Sequence, residues 1–352
     1  MQDIDLATQT MFAELLQRSL DAEFDETFDE RGTFRRKKSK GRFYWHHQLR
    51  VGDKVVSKYV GPVTDESITD RVRRFAEIKS HFKRRREMVR ALAAAGLPTP
   101  DSISGAVIEA MWKAGFFRLR GVLVGTAAFQ GYAGPLGIRL GGRPLMTQDV
   151  DFAQFWGVSE NVGESMAPPL AVLRGVDDTF KELPNVNDPF VATQYRNKLG
   201  YRVDFLTPNR GADSHQGRPA RMKALAGAGA EPLRHLDFLI YRPERSVLLF
   251  GAGVPVTIPR AERFAVHKLI VAVERRNQAK SAKDLMQAES LIGALAAKRP
   301  AELAAAWRAA WETGSRWREK LEAGRERLPP TARETLTGVV ERASARRGHA
   351  GR

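Results

Sequence analysis

The segment Asp149-Val150-Asp151-Phe152 constrains this chain more than any other. Side chains in a strand alternate between faces, so Asp149 and Asp151 project together while Val150 and Phe152 enter a core. A chain that buries such a segment needs a sheet with one charged face, and carboxylates side by side on that face repel. A divalent cation is the usual remedy, because Mg²⁺ takes oxygen ligands from one or two carboxylates together with substrate phosphates. Acid-x-acid spacing alone is common: Asp3/Asp5, Asp21/Glu23 and Glu23/Asp25 share it, in stretches that read as exposed and helical. The Asp149/Asp151 pair differs in alternating with residues suited to a buried strand.

Two further runs belong with it. Gly121-Val122-Leu123-Val124-Gly125-Thr126-Ala127-Ala128-Phe129 reads as a strand, a Gly-Thr turn and the start of a helix. A helix beginning there aims free N–H groups and a positive dipole end at its approach, which favours a phosphate. Gly125 lets the backbone come close, and Thr126 can cap the helix and donate its hydroxyl. An ordinary strand–turn–helix joint has the same pattern. Gly200-Tyr201-Arg202-Val203-Asp204-Phe205-Leu206-Thr207-Pro208 is a second strand with one acid among apolar neighbours. Burying that charge alone is costly. Either Arg202, on the same face, pairs with Asp204, or Asp204 is a third metal carboxylate. In the second case two metals about 4 Å apart clamp the oxygens of an in-line displacement.

The rest of the chain frames these runs. Its 352 residues suffice for two or three domains, and 43% hydrophobic content supports a packed core. Residues 3–30 read as an amphipathic helix (Leu6, Met11, Phe12, Leu15, Leu16, Leu20) running into acids, followed by a basic run from Arg31 to Arg42. A β-hairpin is expected over 43–62 around its Gly52-Asp53 turn, then a helix over 65–95 bearing Lys83-Arg84-Arg85-Arg86. Pro98 and Pro100 mark a boundary, and a helix is expected over 102–118. The texture is then α/β to Pro259 and helical beyond. This gives an α/β (α+β) chain with a mixed sheet: a basic helix–hairpin–helix region (1–98), a central domain (99–259), a helical region (260–343) and a frayed tail (344–352).

Charge alone decides nothing, because a generally basic, arginine-rich proteome gives the same excess, but it bears on the partner. Lys+Arg of 57 against Asp+Glu of 41 gives +16, which attracts nucleic acid, nucleotides or an acidic protein. Arg35, Arg36, Lys37, Lys38, Arg84 and Arg85 are the expected nucleic-acid contacts, with Phe43, Tyr44, Trp45 and Tyr59 able either to stack bases or to pack on neighbouring helices. The absence of cysteine excludes disulfides and thiolate chemistry. With neither a signal-peptide pattern nor an apolar run long enough to span a bilayer, a cytoplasmic protein without membrane contact is expected. His46-His47 lacks a spaced third ligand, His235 and His267 are isolated, and Trp307/Trp311 read as helix packing.

Over residues 119–290 the succession of strand, Gly-Thr turn, helix, acid-x-acid and third strand-borne acid resembles the polymerase-beta-like nucleotidyltransferase superfamily. Within it the chain looks most similar to bacterial enzymes that include abortive-infection and toxin–antitoxin nucleotidyltransferases. Val256–Ile270 with its Lys268-Leu269, Arg275-Arg276, and Lys283-Asp284 opening another helix carry that closer likeness. The resemblance implies transfer of a nucleoside monophosphate from an NTP such as ATP, with two Mg²⁺ (or Mn²⁺) ions on Asp149, Asp151 and Asp204. It also implies that Gly125 and Thr126 cradle the triphosphate, that Lys268 reaches its phosphates and offsets their charge, and that Asp284 supports the nucleotide site. RNA, tRNA included, is the expected acceptor. The alternatives are a protein or small-molecule acceptor with an acidic antitoxin-like partner, and an inactive nucleic-acid-binding relative. The chain departs from the family in the long glycine-rich loop before Asp149, where Thr147 precedes the pair and Arg143 stands further back. By their own spacing, Val266, Leu269, Ile270 and Val273 form the core stripe of this helix, and Lys268 falls off it as a solvated lysine would.

Overall fold

The computed structural model describes residues 2–21, 31–39, 41–140, 148–161, 164–209 and 218–350. After a two-residue strand β1 (Gln2–Asp3), helix α1 (Leu6–Asp21) starts at Asp5, whose carboxylate caps it by accepting from the Thr8 N–H at 2.9 Å. It buries Phe12 and Leu15, whereas Leu6 is exposed. The acidic stretch expected to continue this helix lies outside the described residues.

The expected hairpin has a third strand. Strands β2 (Thr33–Ser39), β3 (Arg42–Val51) and β4 (Lys54–Pro62) form an antiparallel sheet in that order. The basic run is itself β2. Its Phe34 packs against Phe75 of helix α2 (Glu66–Ala94) at 4.7 Å between ring centroids, while its cations stay exposed on an edge strand, where charge discourages further pairing. Helices α1 and α2 share a small core of Phe12, Leu15, Met88, Val89 and Leu92, which also takes in Val247 and Leu249.

Helix α3 (Ser102–Lys113) is capped by Asp101 and ends before residue 118, because Gly115 turns the chain at φ +88°. There follow β5 (Val122–Val124), α4 (Gly125–Gln130), α5 (Ala133–Leu136), β6 (Ile138–Arg139, paired with β1) and β7 (Asp149–Ala153). Next come α6 (Trp156–Asn161), α7 (Pro169–Arg174), β8 (Lys181–Leu183), β9 (Gln194–Arg196) and β10 (Arg202–Pro208). The central region closes with β11 (Ala220–Arg221), β12 (Gly229–Leu233), α8 (Leu236–Leu239), β13 (Glu244–Leu248) and β14 (Val254–Ile258). His235, expected in a strand, instead sits at the start of α8 with φ +65°.

The main sheet is mixed, in the order β11-β12-β10-β7-β5, with β9 paired to the first half of β10, β12 to its second half, and β8 beyond β9. Strand β10 runs parallel to β7 and β12, and β5 is antiparallel to β7. Five helices complete the chain: α9 (Ala261–Glu274), α10 (Gln278–Lys298), α11 (Pro300–Trp311), α12 (Ser315–Glu326) and α13 (Pro330–Ala350). They belong to the same core as the sheet, a single cluster that runs from Val107 through Phe152, Phe205 and Phe264 to Val339. The fold is thus α+β, with a mixed sheet and helices at both ends. Helix α13 continues to Ala350 where fraying was expected, in keeping with the helix propensity of its Ala and Arg residues. Among the described residues no helix is long and apolar enough to cross a membrane.

Candidate active site

Strand register brings the three acids to one face of the sheet. Asp204 on β10 stands beside Asp151 on β7, and Asp151 in turn stands beside Val124, the residue before Gly125. Val150, Phe152, Val203 and Phe205 fill the opposite face, with Phe152 and Phe205 stacked at 5.7 Å. The half-buried acids face away from this core. Arg202 lies in register with Asp149 and pairs with that carboxylate at 3.3 Å. The salt-bridge alternative for Asp204 is therefore not the arrangement found. Asp204 Oδ1 is buried and accepts no hydrogen bond. Burial, then the charges of Asp204 and Asp149, push the Asp151 carboxyl up to about 7. Burial likewise raises Asp204 to about 6, with Asp149 and Glu231 adding to the effect against Arg202 and Lys280.

Gly125 explains why the turn at the end of β5 must be glycine. Its φ is +68°, and a Cβ built there would lie 2.4 Å from Asp151 Oδ2. Helix α4 starts at Gly125 itself, so Thr126 is half-buried in its first turn and does not take the capping position expected of it. Replacing Gly125 by alanine adds left-handed strain of about 1–2 kcal/mol and displaces the Asp151 carboxylate. Thermal melts should show destabilisation of at least that size for Gly125→Ala, whereas Gly157→Ala, with open space around its Cβ, should be nearly neutral. Equal melting temperatures for the two variants would remove this account of the turn.

A cationic helical wall faces the acids. Lys268 on α9 is buried and donates to Asp284 Oδ1 of α10 at 2.5 Å, and Arg275 Nε donates to Asp284 Oδ2 at 3.0 Å. Phe264 lies 5.1 Å below the Lys268 ammonium. The solvated-lysine reading fails because Asp284, one helix away, gives Lys268 a buried partner. Both Lys268 and Arg275 act electrostatically on Asp151, Lys280 acts on Asp204, and Lys283 acts on Asp149. Burial lowers the Lys283 ammonium from the ordinary lysine value. Lys280 and Lys283 were missed as site residues. The available signal was Asn277, which caps α10 by accepting from the Lys280 N–H at 3.0 Å and so places Lys280, Lys283 and Asp284 in its first turns.

The expected nucleic-acid residues lie in the N-terminal region. Arg35, Arg36, Lys37 and Lys38 are exposed on β2. On α2, Arg84 is tied to Glu14 at 3.1 Å, and Arg85 is only 3% exposed, so Arg85 does not present its charge to a polyanion. Thr147, Arg143 and the nearby glycines Gly141 and Gly142 fall outside the described residues.

The acids suit a divalent metal. Their crowding raises two carboxyls, and one buried oxygen of Asp204 has no protein donor, so a cation would relieve both features. Among the described residues no three acidic or imidazole groups already converge on one point. Since protons compete with metal, affinity for Mn²⁺ should fall about tenfold per pH unit below about 7, where Asp151 becomes protonated, and more steeply below about 6 as Asp204 follows. Above 7 it should level off. Titration by electron paramagnetic resonance between pH 5.5 and 8.5 checks this; affinity flat across that range would contradict it.

Residues 102–312 match the model of a nucleotidyltransferase family, which is more than half of the chain and includes every acid and helix residue of the site. Among curated proteins none matches significantly. A solved structure, an antigenic nucleotidyltransferase-like protein from Paracoccidioides brasiliensis, is similar over 64% of this chain and 95% of its own at 14% identity and a TM-score of 0.31, too distant to carry detail across. The carboxylate strands, the Gly125 turn and the helices that face them all lie within the matched segment, and the chain belongs to this nucleotidyltransferase family.

Proposed function

We propose that the protein transfers a nucleoside monophosphate from an NTP to a hydroxyl of an RNA acceptor, releasing pyrophosphate. The observation that carries this reading is the register of Asp149, Asp151 and Asp204 on adjacent strands, beside the Gly125 turn and opposite the cationic wall of α9 and α10. Asp149 and Asp151 would hold Mg²⁺ or Mn²⁺, with Asp204 completing a second position. Bound there, the metal would offset phosphate charge and increase the acidity of the acceptor hydroxyl. Backbone N–H groups at Gly125 and Thr126 approach the triphosphate, and Lys268, Lys280 and Lys283 set a positive field across it. The acceptor oxygen bonds to the α-phosphorus while the bond from that phosphorus to the β-phosphate oxygen breaks. Asp204 would help to take the acceptor proton.

The +16 charge and the exposed basic strand favour RNA as the acceptor. Incubation of each α-labelled NTP and Mg²⁺ with total RNA or total protein tests this. Label should move to RNA, with transfer falling steeply as salt rises. Label on protein would replace the RNA reading by the protein-acceptor one, and label that moves equally well with Asp204→Asn would remove Asp204 from the mechanism.

A further inference from the structure

From Arg31 to Gly52 the chain carries eight arginines and lysines and no acid. The structure places most of this stretch in β2 and β3, and the register sorts it into two faces. On one face Phe34, Trp45 and His47 lie against α2: Phe34 and His47 meet the Phe75 ring at 4.7 and 5.8 Å, and Trp45 Nε1 donates to Thr69 at 3.1 Å. Gly61, beside Trp45, is where Ile68 of α2 comes closest, and a Cβ there would stand 2.2 Å from Ile68 Cδ1.

Arg36 and Lys38 share that face, over Trp45 and Phe43 at 5.6 and 5.8 Å, and the other face carries a second set of cations and rings. Arg35 pairs across the sheet with His46, Lys37 with Tyr44, and Arg50 with Val55. Arg35, Lys37 and Arg50 are exposed, and Tyr44 and His46 are half-buried beside them. Lys37 Nζ donates to Ser57 Oγ at 3.0 Å, and that oxygen lies 3.3 Å from His46 Nδ1, so the central cation is held in place over the sheet. Successive side chains on one face of a strand are about 6.5–7 Å apart, so Arg35 and Lys37 line β2 with His46 and Tyr44 directly across from them on β3, and Arg50 extends the charge further along β3.

We propose that this face of the β2–β3–β4 sheet is a platform for single-stranded RNA, with Arg35, Lys37 and Arg50 meeting phosphates and Tyr44 and His46 meeting bases. It rests on the RNA-acceptor reading for its use, as the means by which acceptor is gathered to the enzyme. Unbroken positive charge selects a polyanion, and aromatic rings set among the cations select bases over an acidic peptide. Flat stacking surfaces also favour unpaired strands, because a duplex hides its base faces.

The test measures binding of a fluorescein-labelled 20-nucleotide unstructured RNA by anisotropy, in EDTA and without NTP, so that a failure of the transfer chemistry leaves the result untouched. Arg35→Glu/Lys37→Glu should weaken binding at least tenfold and reduce the log–log salt slope by about 1.4, two contacts at about 0.7 each. Arg316→Glu/Arg318→Glu, the same charge change on α12, should alter it less than threefold. Circular dichroism and binding of a fluorescent ATP analogue should match wild type in both variants. Equal losses in the two variants would overturn the platform. So would stronger retention of polyglutamate than of RNA, or tighter binding of a duplex than of the single strand.

Discussion

Asp151→Asn should abolish transfer and yet make the metal-free protein more stable. The amide keeps the shape of the carboxyl but removes the charge needed to hold a cation at the centre of the site. A loss of about 10³-fold or more is expected, the scale of removing one preorganised electrostatic contact or more. The stability effect has the opposite sign. A carboxyl raised to about 7 when folded is ionised at a penalty relative to the unfolded chain. The wild type therefore loses stability as pH rises from about 4 to about 7, and the asparagine variant lacks that loss. Allowing for solvent screening of a half-buried group, the difference above pH 7 is on the order of 1 kcal/mol, or about 1–2 °C in Tm. Added Mg²⁺ should raise the Tm of the wild type and not of the variant. Thermal melts at pH 5 and pH 8, run beside the transfer assay, read both signs. A variant that is inactive because it is unfolded would refute the argument about crowding.

The second large effect belongs to Lys268. Its ammonium and the Asp284 carboxylate are both buried, and removing one charge strands the other. Lys268→Met should cost about 3 kcal/mol, the low end for breaking a buried pair, because Arg275 still holds the second oxygen of Asp284. Lys268→Met/Asp284→Asn should recover much of that stability, since no uncompensated charge remains. It should not recover transfer, because Lys268 is one of the positive groups acting on Asp151. Urea unfolding of the two single variants and the double variant gives the coupling directly. A solvated lysine would instead give changes within about 0.5 kcal/mol.

These two residues also show how far the sequence could be read. The alternation of Asp149, Val150, Asp151 and Phe152 specifies a strand with a charged face, because period two allows few other structures. That Asp204 lies beside Asp151, and Arg202 beside Asp149, was not legible. Parallel pairing of β7 and β10 is set by the intervening fold, and a shift of one residue would have exchanged the two faces. Gly125 was readable as a turn, but its close approach to Asp151 comes from the pairing of β5 with β7. Spacing alone leaves Lys268 as a solvated lysine, because helical periodicity sees one helix at a time and its partner lies on the next; the family resemblance is what put it at the site. Strand β2 was passed over because four consecutive cations obscure the strand pattern, although Phe34 anchors it to α2.

The central claim is that nucleotidyl transfer takes place at these carboxylates. Its most direct measurement compares α-³²P and γ-³²P forms of the same NTP, with Mg²⁺ and RNA, in wild type and in Asp151→Asn. The account predicts that wild type places the α label on the acceptor, releases the γ label as pyrophosphate, and loses both products with EDTA or with the substitution. Transfer of the γ label to the acceptor, or α-label transfer that survives Asp151→Asn, would contradict it.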